Sequence, residues 1–151
     1  MSTTTPAAAP SKPAGFQMPA PSPEQQATQK VGARLVELVS QGKNLDAIRE
    51  LYADNVRSIE AMEGPGCPRM TEGKANVLKA AEHFEKITIK HSASCGKPLV
   101  NGNQFVCQMS LDCTSTEGPM ANQRMQMSET ALYTVKDGKI SECKFFYSYG
   151  M

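Results

Sequence analysis

NQRMQMSETALYTVK (122–136) and KISECKFFYSY (139–149) are two long runs of period two that meet at the dipeptide Asp137-Gly138. Both turn residues tolerate the positive φ of a type I′ turn, so Asp-Gly between alternating runs predicts a β-hairpin. On the first run Met125, Met127, Glu129, Ala131, Tyr133 and Val135 share one face, opposite Arg124, Gln126, Ser128, Thr130, Leu132 and Thr134. The first face is apolar except for Glu129. An ionised carboxylate on a buried sheet face is costly unless it is paired, so Glu129 is either partnered or useful.

Working outward, the run before Gly118-Pro119 sets Phe105, Cys107, Met109, Leu111 and Cys113 against Gln104, Gln108, Ser110 and Asp112, a half-buried antiparallel strand. Asn101-Gly102 turns the chain ahead of it. Earlier still, Ile87, Ile89, His91 and Ala93 alternate with Thr88, Lys90, Ser92 and Ser94, until Gly96 and Pro98 mark a bulge or an edge. This phase puts His91 on an apolar face, either as a satisfied core histidine or as a pocket group that titrates near neutrality. Glu63 to Pro68, rich in glycine and proline, reads as a loop, and the segment from Val56 to Met62 before it as a strand carrying Glu60 and Met62.

The N-terminal part reads as helices. Ser22 can cap, Pro23 suits the first helical position, and Val31, Leu35, Leu38 and Val39 recur at helical spacing up to Gly42. Asn44 is positioned to cap a shorter helix through Leu45, Ile48, Leu51 and Tyr52, with its exit at Asp54-Asn55. Thr71 is positioned to cap a third, whose apolar side is Val77, Leu78, Ala81 and Phe84, with His83 on the flank. Helices first and a meander of strands afterwards predict an α+β fold, with helices on one face of a curved antiparallel sheet.

Composition narrows the function classes. Six of the ten prolines fall within the first 23 residues, among Ala, Ser and Thr, so residues 1–22 are expected to be a disordered tail and 23–151 one domain. Lys12 is that tail's only charge, so of 16 basic and 15 acidic residues the domain keeps 15 of each. A balanced domain without a basic stripe does not suit nucleic acid. No segment is long and apolar enough to suggest a membrane span, and no charged start leads into an apolar run, so a cytoplasmic protein is expected. The five cysteines include no Cys-x-x-Cys pair, and only His83 and His91 accompany them, so reduced thiols are expected rather than a metal knuckle or a disulfide framework.

LYADNVRSIE (51–60), the Gly73-Lys74 entry to the third helix and ALYTVKDGKISECKFFY (131–147) together resemble the SnoaL-like and ketosteroid-isomerase-like proteins of the nuclear-transport-factor-2 superfamily, over residues 24 to 149. The resemblance implies a cone, a strongly bent sheet around a long helix with a pocket at its open end. The superfamily contains isomerases, polyketide cyclases, dehydratases, ligand-binding proteins and association domains, so fold does not decide activity. In the isomerase-like members the general base stands eight positions after the Tyr of the Tyr-Ala-Asp motif, which counts from Tyr52 to Glu60. Leu35 stands where their oxyanion-stabilising Tyr falls, and Ala131 where their second acid falls, with Glu129 one pleat away.

Three readings follow. The first is proton transfer on a carbonyl compound by Glu60 and Glu129 with His91 as auxiliary, a chemistry that requires a base and a stabilised oxyanion but no cofactor. In it Met62, Met109, Met127, Tyr133 and Tyr147 line the site for a small apolar or carbonyl-containing molecule. The second is a binding module without turnover, and the third a dimerisation unit whose cone is filled by side chains. A homodimer is expected in each, because apolar residues occupy both faces of the last strand, Phe146 against Phe145 and Tyr147.

Overall fold

The computed structural model describes residues 2–11, 15, 17–64 and 66–148. Its elements run in the order α1 (Pro23–Ser40), α2 (Asn44–Leu51), β1 (Tyr52–Ile59), β2 (Met70–Glu72), α3 (Lys74–Ile87), β3 (Thr88–Cys95), β4 (Leu99–Asn101), β5 (Gln104–Ser115), β6 (Arg124–Lys136) and β7 (Lys139–Phe146). The strands form one open sheet in the order β2-β1-β7-β6-β5-β3, with β4 hydrogen-bonded to β5. The fold is α+β, as expected. The sheet, however, is mixed: β1 runs parallel to β7, and every other pairing is antiparallel. That parallel pair joins the strand that leaves the helices to the last strand of the chain.

The β6–β7 hairpin closes as the Asp-Gly pair requires, with Asp137 at φ 52° and Gly138 at φ 75°. α1 begins with the Ser22 hydroxyl accepting from the Gln25 amide. It ends in a Schellman motif: Lys43 N–H donates to Leu38 O and Gly42 N–H to Val39 O, with Gly42 at φ 74°. The other two expected caps are corrected. Lys43, not Asn44, precedes α2. Thr71 lies in β2, where it pairs with Ser58, and Gly73 at φ 88° turns the chain into α3. Pairing with β1 outweighs the local capping preference of Thr71.

Two boundaries also move. α2 stops at Leu51, ahead of Asp54-Asn55, because Tyr52 already pairs with Ile140 and is buried as the first residue of β1. Ile87 ends α3 instead of opening a strand. The next strand then begins in the opposite phase to the expected one and regains the expected phase at Ala93, opposite Leu111. Its register to β5 slips between Lys90 and Ser92, a bulge at His91. Lys90, opposite Cys113, turns inward, while Ile89 is 52% exposed.

The core lies between the helices and the inner face of the sheet, where Leu35, Val56, Phe105, Cys107, Ala131, Tyr133, Ile140 and Cys143 are buried. Phe105 stacks on Tyr133 with ring centroids 4.8 Å apart. α1 approaches closely at Gly32, where a Cβ would lie 3.1 Å from Pro98 Cβ and 3.4 Å from Phe105 Cδ2. A bare backbone at this point lets the helix settle onto the β4–β5 corner.

Candidate active site

A cavity of about 490 Å³ opens between α2, α3 and the inner face of the sheet. Its walls follow from periodicity. On α3, Val77, Ala80, Ala81, Phe84 and Ile87 recur every three or four residues and turn one stripe to the cavity, while Met109, Glu129, Tyr133 and Phe145 supply the sheet wall. The period-two registers explain the latter: Met109 lies opposite Glu129, Ala131 opposite Phe145, and Tyr133 opposite Cys143. Directly opposed residues share a face, so the Glu129 carboxylate is carried to the inner side by the same alternation that buries Ala131 and Tyr133.

Glu60, just beyond the end of β1, lines the same cavity. Tyr147 donates its phenol O–H to Glu60 Oε2 at 2.9 Å. Burial, and after it the charge of Glu60, push the Glu129 carboxyl up from 4.5 to about 7. No basic side chain forms an ion pair with Glu129 among the described residues. Deeper in the wall, the Tyr52 phenol shares hydrogen bonds with Cys143 and Tyr133, and Cys143 with Ser58. Burial raises the Tyr52 and Tyr133 phenols well above their usual range and the Cys143 thiol to about 11, so all three are neutral near pH 7. The site thus has one carboxyl that takes up a proton near neutrality, a second held by a phenol, and a neutral hydroxyl network beneath them.

Of the candidate residues read from the sequence, Glu60, Glu129, Met109 and Tyr133 meet at this cavity, and Tyr147 reaches it through Glu60. Met127 is half-buried on the Glu129 face of β6, and Met62 is half-buried past the end of β1; neither forms part of the wall. Tyr149 lies outside the described residues. His91 is exposed on the outer face, where its Nε2 is 2.8 Å from Thr114 Oγ1. It does not line the cavity, because the bulge at its own position reverses the strand's phase.

Asn44, Tyr52, Ser58 and His83 also line the cavity, and none of them is among the site residues that the sequence suggests. For His83 a signal exists: it stands three residues after Ala80 and four before Ile87, on the cavity side of α3. Among the described residues no group of three His, Cys, Asp or Glu side chains is arranged to hold a metal ion. The cysteines Cys67, Cys95, Cys107, Cys113 and Cys143 are all free thiols.

An open bent sheet over helices, with a carboxylate-bearing cavity between them, defines a protein of the nuclear-transport-factor-2-like class. More narrowly, the chain belongs to the SnoaL-like domain family, whose model matches residues 26–147. A candidate SnoaL-like polyketide cyclase from Mesorhizobium loti has 35% sequence identity and a TM-score of 0.72, over 78% of this chain and 97% of that one. Another from Jannaschia sp. CCS1 has 21% identity and a TM-score of 0.64, over 85% and 90%. An LEH-like epoxide hydrolase from M. tuberculosis has 12% identity and a TM-score of 0.62, over 83% and 86%. The last two show the shared fold alone. None of the curated proteins matches the sequence.

Proposed function

We propose that the protein binds a small, mainly apolar carbonyl compound in this cavity and catalyses proton transfer on it without a cofactor, in the manner of an isomerase or cyclase. The observation that carries the reading is that Glu60 and Glu129 face one cavity with apolar walls. Glu60 takes the proton from the carbon beside the carbonyl. Glu129, about half protonated near pH 7, donates in its protonated form to the carbonyl oxygen as negative charge develops there. The environments of the two carboxyls separate their roles, as acid–base pairs require. The polyketide-cyclase designation of the Mesorhizobium loti relative is consistent with chemistry of this kind. The test is exchange of α-protons of 1-tetralone and 2-tetralone in D2O, followed by NMR. The wild type is expected to accelerate exchange over buffer, and Glu60→Gln to lower the acceleration by about a hundredfold or more. Saturable binding without exchange would replace this reading with that of a non-catalytic binding module.

We also propose that two copies pair through the outer face of the sheet. The support is apolar surface there: Leu99 is 73% and Phe146 54% exposed, and Val106 and Leu132 continue the Leu99 row across the sheet. Light scattering at micromolar concentration is expected to give the mass of a dimer, and Leu132→Glu with Phe146→Glu that of a monomer. A monomeric wild type rejects the pairing. Among the described residues no helix is long and apolar enough to cross a membrane. A cytoplasmic setting belongs to this proposal, supported by the free thiols.

A further inference from the structure

The cavity has a second polar end. Asn44 opens α2 and lies on the cavity wall. Its Nδ2 donates to Glu85 Oε1 at 3.5 Å, and Glu85 is itself held by Lys90 Nζ. An ionised carboxylate only accepts hydrogen bonds, so this contact assigns the amide nitrogen to the Glu85 side and leaves Oδ1 as the other end. That oxygen is buried and has no hydrogen-bond partner among the described residues. A buried acceptor without a donor is costly, and the cost is relieved by whatever supplies one.

The sheet places the anchor of this end, Lys90, away from Glu129. Lys90 lies across Cys113 from Met125, which precedes Glu129 by four residues on the same face of β6. At ~3.3 Å per residue, the sheet position of Lys90, which anchors the Glu85–Asn44 contact, is about 13 Å along the strand from Glu129. Apolar side chains such as Val77, Phe84 and Met109 line the cavity that Asn44 and Glu129 share.

We propose that Asn44 determines specificity, its Oδ1 accepting a hydrogen bond from a hydroxyl or amide N–H at the far end of an elongated, largely apolar ligand whose carbonyl lies at Glu129. Glu85 and Lys90 act as positioning residues, because they fix the amide without reaching the ligand. The inference rests on the proposed cavity function and narrows its substrate class to carbonyl compounds of about two fused rings that carry a distal hydrogen-bond donor.

Three fluorescent ketones of one shape test this directly: 6-acetyl-2-naphthol carries the donor, 2-acetyl-6-methoxynaphthalene replaces it with an acceptor, and 2-acetylnaphthalene lacks both. The wild type is expected to bind the naphthol about tenfold more tightly than either of the others, the ratio that one ordinary hydrogen bond gives. Asn44→Ala is expected to erase that preference while changing the affinity for 2-acetylnaphthalene less than about twofold. Lys90→Met, which frees Glu85, is expected to reduce the preference, and Glu129→Gln to weaken all three ketones alike. Equal affinities in the wild type, or a preference that survives Asn44→Ala, overturn the role of Asn44 and leave the cavity reading standing. Binding of none of the three removes the cavity reading and this proposal with it. If Asn44→Ala does not fold, the comparison of naphthol with methoxy ketone in the wild type still decides.

Discussion

At pH 8, Glu129→Gln is expected to raise the melting temperature by several degrees while lowering turnover by about two to four orders of magnitude. The stability half follows from the carboxyl's position above its ordinary range, at about 7 instead of 4.5. Between those values the folded state holds a proton that the unfolded state has released, so stability falls as pH rises from 4.5 through 7. Above 7 the full cost of the buried charge is present, at most roughly 3.5 kcal/mol at ~1.4 kcal/mol per pH unit. The substituted glutamine carries no charge, so the variant's advantage is absent near pH 4.5 and fully developed at about pH 8. Thermal melts of both proteins at the two pH values measure it. Burial is the larger cause of the shift and the charge of Glu60 the smaller, so Glu60→Gln is expected to bring the Glu129 carboxyl only part of the way back. A variant less stable at pH 8 that still turned over substrate would mean that Glu129 neutralises a basic group, and the catalytic assignment would be wrong.

The same residue shows how much of the site is legible in the sequence. Alternation on 122–136 places Glu129 on the inner face, and the Asp137-Gly138 turn sets the pairing that makes that face a cavity wall. Although β7 slips by one residue at Ser141 beside the turn, which buries both Ile140 and Cys143, period two holds along β6 and keeps Glu129 in phase with Ala131, Tyr133 and Val135. β3 lacks that protection. A single extra residue at His91 shifts its register to β5, which sends Ile89 and His91 outward and Lys90 inward. Nothing in ITIKHSAS (87–94) announces the bulge, because Ile87, Ile89, His91 and Ala93 alternate without interruption with Thr88, Lys90, Ser92 and Ser94 and so read as one regular strand. Asn44 is hidden for another reason. Its type and position suit a helix cap, and the contact to Glu85 that takes it elsewhere joins residues 41 positions apart. The parallel pairing of β1 with β7 is likewise a consequence of topology that no local pattern carries.

Phe105→Ala is expected to cost about 3–5 kcal/mol of stability. Phe105 is 1% exposed, and its ring stacks on Tyr133, so the cavity left behind would be bounded by β-sheet backbone that is hydrogen-bonded on both sides. On the opposite side stands α1 at Gly32, whose backbone already approaches the ring closely. Neither neighbour can collapse into the space, which places the substitution at the expensive end of its class. Urea denaturation measures the loss directly, and the melting temperature should fall by about ten degrees or more. Damage to the site is expected as well. Tyr133 lines the cavity and meets Phe145 edge-on at 6.4 Å, so a Tyr133 ring released from its stack no longer holds Phe145 or the wall beside Glu129 in place. Ketone binding should therefore weaken even at temperatures where the variant is fully folded. A loss below about 1 kcal/mol would show that the helix closes over the gap. In that case Phe105 does not tie the α1–sheet contact to the geometry of the carboxylate site.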